Sequence, residues 1–395
     1  MGGLLRMFDF GRIIQRKGTN CYKWDQCKEF FGTDDLIPMW VADMDFETIE
    51  EVKRVIKERV EHGVFGYTFI PDSFYNSIID WQFTQNNWKI EKDWIINAPG
   101  VVPSIKICIQ AYTSPGDDVV VQTPVYFPFF SSVKFNGRNV ITNPLKFNGK
   151  HYEMDFDDLE RKISDKTRML ILCSPHNPVG RVWKKEELER LGEICLRNNV
   201  IIVSDEIHSD IIMSTHKHTP IASISKELSE ITITCMSVSK TFNLAGLATS
   251  YVIISNSVLR SKYFHTAQRL GLLTTNIFGI LALETSYRYG KKWLKALLEY
   301  LRENRDFVLK FLREKIPQVD AIETEGTYLM WLNFKKLGLT QEELKEFIFK
   351  KAKVGLQDGR MFGEEGRGFM RMNIGCPRVI LKKALQRLET AIKNR

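Results

Sequence analysis

Long apolar segments are missing from this sequence. No run of about 18 apolar residues occurs, and residues 1–12 have no apolar core of signal-peptide length. The sequence also has no internal repeat and no low-complexity tail. We therefore expect no membrane span and no repeat architecture.

Cysteine is sparse and shows no pairing pattern. The 7 cysteines are scattered, and none of them forms a Cys-x-x-Cys motif. An odd, unpaired set suits a reducing compartment better than a disulfide framework, so we expect a cytoplasmic protein. His216 and His218 have no third ligand at the usual spacing, and we expect no metal site.

Blocks of one charge are also missing. The 56 basic and 48 acidic residues are interspersed and leave a net charge of +8. Without a basic block or a recognised binding motif we expect no nucleic-acid binding, only a surface that favours anionic ligands. A chain of 395 residues with 44% hydrophobic content suits a large domain with a smaller one.

The stretch that most suggests chemistry is SVSKTFNLAGL at residues 237–247. It follows an alternating apolar run, residues 231–235, that predicts a strand. The hydroxyls of Ser237 and Ser239 can donate to phosphate oxygens, and the Lys240 amine, once deprotonated, can form an imine with an aldehyde. Burial and a nearby positive charge both lower a lysine pKa and would prepare this nucleophile. A surface lysine on a serine-rich turn explains these residues equally well.

Two further apolar runs, residues 168–173 and 200–204, predict strands that are buried on both faces of a parallel sheet. The first leads into a loop that presents Asn177 between two prolines, and the second ends at Asp205. Ligands bind at the carboxyl ends of strands in open α/β sheets. An amide, a carboxylate and Lys240 at three such ends form the set that pyridoxal phosphate (PLP) needs for its ring oxygen, its pyridinium nitrogen and its imine.

The segments SPHNPVGR, VSDEIHSD and SVSKTFNLAGL, in this order, resemble fold-type I PLP enzymes of the aminotransferase class I/II superfamily. Five more segments are similar to the branch of cystathionine β-lyases (C–S lyases) of the MalY/PatB type: LIPMWVADMDF, GVFGYT, PGVVPSI, TPVYFPFF and RMNIGCPR. The resemblance extends from about Phe8 to the C-terminus and therefore covers nearly the whole chain.

This resemblance implies an α/β fold, the fold type I of PLP-dependent transferases. A large domain has a mainly parallel central sheet flanked by helices, and a smaller α+β domain accompanies it. We expect an N-terminal arm at residues 1–47 that contributes to the small domain and the active site, the large PLP-binding domain at 48–290, and the small domain at 291–395. The residue pattern predicts that the arm is extended from residue 9 to 45 and that the small domain has a helix at residues 340–352. The resemblance also implies a homodimer whose active sites are shared across the interface.

Two candidate binding sites follow from the residues themselves, without the resemblance. Residues 100–102 precede an apolar helix, and we expect a tight backbone turn at Gly100. Free N–H groups at a helix start bind phosphate well; a plain strand–turn–helix junction is the other interpretation. Arg371 lies centrally in an apolar strand, where its guanidinium could hold an amino-acid carboxylate through two parallel hydrogen bonds. A structural salt bridge is the alternative for Arg371.

The resemblance assigns the remaining roles. Lys240 is expected to form the imine and to act as the general base, Tyr126 to stack on the pyridine ring, and Tyr67 to reach the cofactor phosphate of the other subunit, so these three are the catalytic candidates. The expected cofactor-binding residues are Gly100, Val101, Val102, Tyr126, Asn177, Asp205, His208, Ser237, Ser239, Lys240 and Tyr67. The expected substrate-binding residues are Arg371, Trp40, Val41 and Ala42.

One departure bears on the reaction. Many aminotransferases carry an arginine for the cofactor phosphate eight residues after the imine lysine, where this chain has Ala248. The resemblance favours β-elimination on L-cystathionine and related S-substituted cysteines, which yields a thiol, pyruvate and ammonia. The same residues could serve transamination between an amino acid and a 2-oxo acid, and a PLP-fold regulator with weak catalysis is a third interpretation.

Overall fold

The computed structural model describes residues 8–213, 215–274 and 276–395. In chain order its strands are β1 (Ile37–Pro38), β2 (Ile95–Ala98), β3 (Asp118–Val121), β4 (Asn139–Thr142), β5 (Lys146–Phe147), β6 (Tyr152–Glu153), β7 (Thr167–Cys173), β8 (Ile201–Asp205), β9 (Thr232–Met236), β10 (Ser250–Ile253), β11 (Asp320–Ala321), β12 (Leu329–Asn333), β13 (Val354–Gly355), β14 (Gln357–Asp358) and β15 (Phe369–Asn373).

The helices are α1 (Tyr22–Asp25), α2 (Cys27–Phe31), α3 (Glu50–His62), α4 (Asp72–Asn86), α5 (Val101–Tyr112), α6 (Pro128–Phe135), α7 (Phe156–Lys162), α8 (Lys185–Arg197), α9 (Lys226–Ile231), α10 (Val238–Thr241), α11 (Ser257–Arg269), α12 (Ile277–Tyr289), α13 (Lys291–Lys315), α14 (Gln341–Glu346) and α15 (Arg378–Lys393). Among the described residues, none of these helices is long and apolar enough to cross a membrane.

The central sheet has seven strands in the order β2-β10-β9-β8-β7-β3-β4. β10 runs antiparallel to both of its neighbours, and the other pairings are parallel. The strands in the middle are apolar runs because helices cover both faces of such a sheet. The mainly parallel sheet predicted from the sequence is therefore confirmed.

Three neighbouring strands end at the same edge of this sheet. Cys173 at the end of β7 pairs with Asp205 at the end of β8, and Asp205 pairs with Cys235 in β9. Because the three strands are parallel, the loops that follow them leave the sheet side by side. Asp205 ends β8, Asn177 follows β7, and Lys240 lies in the short helix α10 after β9.

A second sheet of four antiparallel strands has the order β11-β12-β15-β14. β15 lies between β12 and β14, and Trp331 is the Cα partner of Arg371 across the first of these pairs. The predicted helix at residues 340–352 ends earlier, since α14 stops at Glu346 and the chain continues as a π-helical turn, Phe347–Lys351. The division of the chain at residues 47 and 290 stays a prediction.

The N-terminal arm was expected to be extended from residue 9 to 45, and this expectation was wrong in part. α1 and α2 lie within it, and β1 pairs in parallel with β13. The Asp25 carboxylate accepts the N–H groups of Gly18 and Cys21, which fixes the turn where α1 begins. Helices of four and five residues are too short to show a period in the sequence.

Candidate active site

A cavity of about 210 Å³ lies at the shared edge of β7, β8 and β9. Eleven predicted residues line it: Ala42, Gly100, Val101, Val102, Tyr126, Asn177, Asp205, His208, Ser237, Ser239 and Lys240. Ala248, which stands where many aminotransferases have an arginine, also lines the cavity. The lining residues that sequence reasoning missed are Pro99, Pro103, Cys173, Ile207, Ala245 and Thr249.

Lys240 lies in α10, the short helix that follows β9. The Ser237 hydroxyl oxygen caps this helix by accepting the Ser239 N–H at 3.0 Å. The Lys240 Nζ donates to the Ala42 carbonyl at 2.6 Å. Burial lowers the pKa of Lys240 to about 8; Asp43 and Asp205 oppose this shift, and Arg371 adds to it. A lysine with this pKa supplies free amine close to neutral pH.

Asp205 ends β8 and is only 4% exposed. Its Oδ1 accepts the Ile207 N–H at 3.1 Å. Burial raises the pKa of Asp205 to about 7, because no full ion pair offsets the loss of water. Among the described residues no cation lies within 4.0 Å of this carboxylate. A buried carboxylate without a cationic partner fits a protonated ring nitrogen as its partner.

Arg371 joins three distant parts of the chain. Its Nη1 donates to Asn177 Oδ1 at 2.9 Å, and its Nη2 donates to the Trp40 carbonyl at 2.8 Å. The guanidinium lies 4.9 Å from the centre of the Phe362 ring, and burial lowers its pKa to about 10. The buried Nε has no hydrogen-bond partner in this part of the described structure. A carboxylate ligand would supply the missing acceptor.

The other end of the cavity is built around the start of α5. Val101 is the first residue of that helix, and Gly100 before it is extended, with φ of 166°, rather than tightly turned as expected. The Ser237 hydroxyl donates its hydrogen to the Thr249 carbonyl at 2.7 Å, so this hydrogen is not free to be donated to a phosphate. The buried Thr249 Oγ1 has no partner among the described residues. A helix N-terminus and a spare hydroxyl fit a phosphate.

The model of one protein family matches residues 34–388, and its description is aminotransferase class I and II. The chain belongs to the aminotransferase class I and II family. Cystathionine beta-lyase PatB of Bacillus subtilis (strain 168) is 43% identical over 97% of this chain and 100% of its own.

Two solved structures of this family are similar along the whole chain. Cystalysin from Treponema denticola, which contains a PLP cofactor, has a TM-score of 0.95 and 35% identity, with 98% of this chain and 99% of that chain covered. The PLP-bound C–S lyase from Staphylococcus hominis has a TM-score of 0.91 and 32% identity, with 97% and 98% covered. The family is PLP-dependent, and the fit of Asp205, Lys240 and the α5 start agrees with this cofactor.

Two aromatic candidates of the family site lie in the cavity wall. Tyr126 follows β3, and burial raises the pKa of its hydroxyl, so its ring is a neutral surface. His208 is buried, and burial lowers its pKa well below the usual range. Its ring meets the Tyr328 ring edge-on with centroids 5.9 Å apart. His208 therefore acts as a neutral imidazole, and Tyr328 is a neighbour that sequence reasoning missed.

Four predicted residues are not among those that line the cavity: Arg371, which is hydrogen-bonded to the lining residue Asn177, and Tyr67, Trp40 and Val41. Tyr67 is fully exposed. The Trp40 indole donates to the Lys23 carbonyl at 2.9 Å and packs in the N-terminal arm, so only its carbonyl meets Arg371. The Val41 carbonyl accepts from Asn373 at 2.6 Å. Their roles toward substrate and cofactor stay predictions.

Proposed function

We propose that this protein is a PLP-dependent β-lyase that cleaves the C–S bond of L-cystathionine and related S-substituted cysteines. With one water, L-cystathionine yields homocysteine, pyruvate and ammonia. The observation that carries the proposal is that Lys240, Asp205 and Asn177 line one cavity and that Arg371 is hydrogen-bonded to Asn177, in a chain that matches PatB over nearly its whole length. Transamination could use the same residues, but no geometric feature favours it.

The residues divide the work between cofactor and substrate. Bound PLP would supply an electron sink for the bond to the substrate Cα. Asp205 would hold the proton on the ring nitrogen, and Asn177, whose Oδ1 accepts from Arg371, would donate to the ring oxygen through its Nδ2. Tyr126 would cover the ring and exclude water. These side chains are positioned by the sheet edge rather than by flexible loops alone.

Substrate binding and proton transfer would be the work of Arg371 and Lys240. Arg371 would bind the substrate carboxylate with its unpartnered Nε and a remaining Nη hydrogen. The Lys240 Nζ would remove the Cα proton as general base, since its lowered pKa leaves a large fraction of free amine near pH 8. The leaving thiolate departs from Cβ as the electron pair of the broken C–H bond moves toward the Cα–Cβ bond.

The functional unit would be a homodimer, and exposed residues support this part of the proposal. Val64, Phe65, Tyr67 and Phe69 form an exposed apolar loop after α3. Ala248 lines the cavity where many aminotransferases have an arginine for the phosphate, and a hydroxyl from a second subunit would supply a donor to the phosphate in its place. A cytoplasmic location is consistent with seven free cysteines.

The dimer can be tested by mixing two defective subunits, Lys240→Ala and Tyr67→Ala. If each site uses Lys240 of one subunit and Tyr67 of the other, every mixed dimer has one intact site. About a quarter of wild-type activity then returns after random reassociation. Activity that stays at the sum of the two variants alone would refute the shared site.

The reaction is tested by incubating the holoenzyme with L-cystathionine and no 2-oxo acid while pyruvate and thiol are measured. Equal amounts of both over many turnovers, lost in Lys240→Ala but kept in the surface variant Lys185→Ala, are expected. Amino-group transfer that begins only when a 2-oxo acid is added would instead identify an aminotransferase. Cofactor binding without either reaction would favour the regulator.

A further inference from the structure

The segment of residues 39–46, which we call the wall, passes beside Lys240. Its backbone is hydrogen-bonded along its whole length. The Ala42 carbonyl accepts from Lys240 Nζ at 2.6 Å and from the Tyr328 hydroxyl at 2.9 Å. The Trp40 carbonyl accepts from Arg371. Since two expected active-site cations rest on carbonyls of this wall, the position of the wall sets where both cations lie.

Asn243 holds this wall from the turn that carries Lys240. Its Oδ1 accepts the Met44 N–H at 2.9 Å, and its Nδ2 donates to the carbonyls of Met44 and Phe46 at 2.9 and 2.8 Å. The side-chain amide thus pairs with Met44 as a neighbouring strand would. Asn243 itself has a left-handed backbone with φ of 58°, a conformation that asparagine tolerates better than most residues.

The opposite face of the wall has separate anchors. The Asp45 carboxylate accepts from Arg16 at 2.6 Å and from the buried Lys23 at 2.8 Å, and Asp43 also pairs with Arg16. These ion pairs connect the wall to the rest of the N-terminal arm and not to Lys240. Within the described residues, the Asn243 amide makes the side-chain hydrogen bonds between the wall and the turn after Lys240.

We propose that Asn243 is a positioning residue that sets the Ala42 carbonyl against the Lys240 amine. Asn243 touches neither the cavity nor the amine, and it acts through Met44, two residues from Ala42. Its side chain keeps the position of Lys240 fixed relative to the wall. The amine therefore returns to the same place after each proton transfer. This inference rests on the proposed lyase function, because its kinetic effect is measured on that reaction.

The test compares Asn243→Gly with Asn199→Gly in the holoenzyme. Glycine accepts the left-handed backbone freely, so Asn243→Gly removes the amide without adding strain. Asn199 has the same backbone conformation, with φ of 53°, on the exposed end of α8, and is the matched control. Two quantities are measured: kcat and KM for pyruvate release per bound cofactor, and hydrogen exchange of the Met44 amide.

Asn243→Gly is expected to lower kcat about tenfold or more, since small displacements of a catalytic group are costly, with a KM change of less than about threefold. The Met44 amide should exchange faster, while the Asp45 amide, which donates to the Gly375 carbonyl at 2.8 Å, keeps its rate. Asn199→Gly should match wild type in both measurements. A merely structural role would lower cofactor occupancy or thermal stability but leave kcat per cofactor unchanged.

A wild-type kcat in Asn243→Gly overturns the inference, and so does an unchanged Met44 exchange rate. Asn243→Asp serves if the glycine variant does not fold. It keeps the acceptor for the Met44 N–H but loses the donor to two carbonyls, so kcat should fall while Met44 stays protected. If wild type releases no pyruvate, the proposed function fails, and faster Met44 exchange still reports whether Asn243 holds the wall.

Discussion

Replacing Asp205 with asparagine would separate what this carboxylate does to folding from what it does for the cofactor. Burial raises its pKa from 3.8 to about 7 when no cofactor is bound. A carboxyl group with a higher pKa in the folded chain destabilises the fold once it ionises. The penalty is absent below pH 4, grows between pH 4 and 7, and is full above pH 7. Each unit between the two pKa values contributes about 1.4 kcal/mol.

The penalty therefore reaches at most about 4 kcal/mol above pH 7. Asparagine keeps the shape and can accept the same Ile207 N–H. Cofactor-free Asp205→Asn is thus expected to be about 2–4 kcal/mol more stable than the cofactor-free wild type at pH 8, and equally stable near pH 4. In the holoenzyme the order reverses, because asparagine cannot balance a ring N–H⁺. A lost charge-assisted hydrogen bond costs about 1.5–3 kcal/mol, so kcat falls about 10- to 100-fold.

Urea unfolding of both cofactor-free proteins, followed by tryptophan fluorescence between pH 4 and 8, measures the first effect. The exposed Asp165→Asn variant changes the same charge on the surface and should shift the free energy of unfolding by less than about 0.5 kcal/mol. A variant that is less stable at pH 8, or a difference that does not change with pH, would show that the Asp205 charge is already balanced inside the protein. The reasoning on cofactor fit would then be wrong.

Three further predictions concern other parts of the site. Because the Lys240 pKa is lowered to about 8, the rate of PLP capture by cofactor-free protein, followed by absorbance, should rise up to about pH 8 and then level off; a rise that continues to pH 10 would contradict this. The lysine of Arg371→Lys cannot donate to two acceptors and a carboxylate in one plane. The value of kcat/KM should therefore fall about 30-fold or more, mainly because KM rises. Lys23→Met leaves the buried Asp45 with the Arg16 ion pair and the Trp24 indole hydrogen bond, and it should lower the free energy of unfolding by about 3 kcal/mol at pH 7 in urea titrations. Against burial, Lys23 and Arg16 hold the Asp45 pKa low, so the loss should shrink in acid.

The sheet edge could be predicted because buried parallel strands leave a strong signal. Runs of apolar residues ended by Asp205, or followed by the Asn177 and Lys240 loops, correspond to β8, β7 and β9 within about two residues at each end. Parallel neighbours place such ends together, so the central set of candidate residues followed from local pattern and the resemblance together.

Contacts between distant segments left no such signal. Lys240 and Ala42 are 198 residues apart, and nothing in either segment indicates that the amine rests on that carbonyl. The direction of the Trp40 ring is set by its aromatic neighbours in the arm, such as Phe31 at 5.2 Å. Asn243 lay inside a quoted motif, but its partners Met44 and Phe46 became visible only in three dimensions.

The contacts of Arg371 can form only late in the synthesis of the chain. Its two acceptors lie 194 and 331 residues earlier in the sequence. During synthesis, the segment that ends the N-terminal arm and the loop after β7 must wait until residue 371 has left the ribosome before they are joined. If Arg371 binds the substrate carboxylate as proposed, a chain that ends before residue 371 lacks this contact for an amino acid, even where it can capture the cofactor on Lys240. On that proposal, substrate turnover requires a chain that is synthesised and folded at least as far as β15, whereas cofactor capture does not.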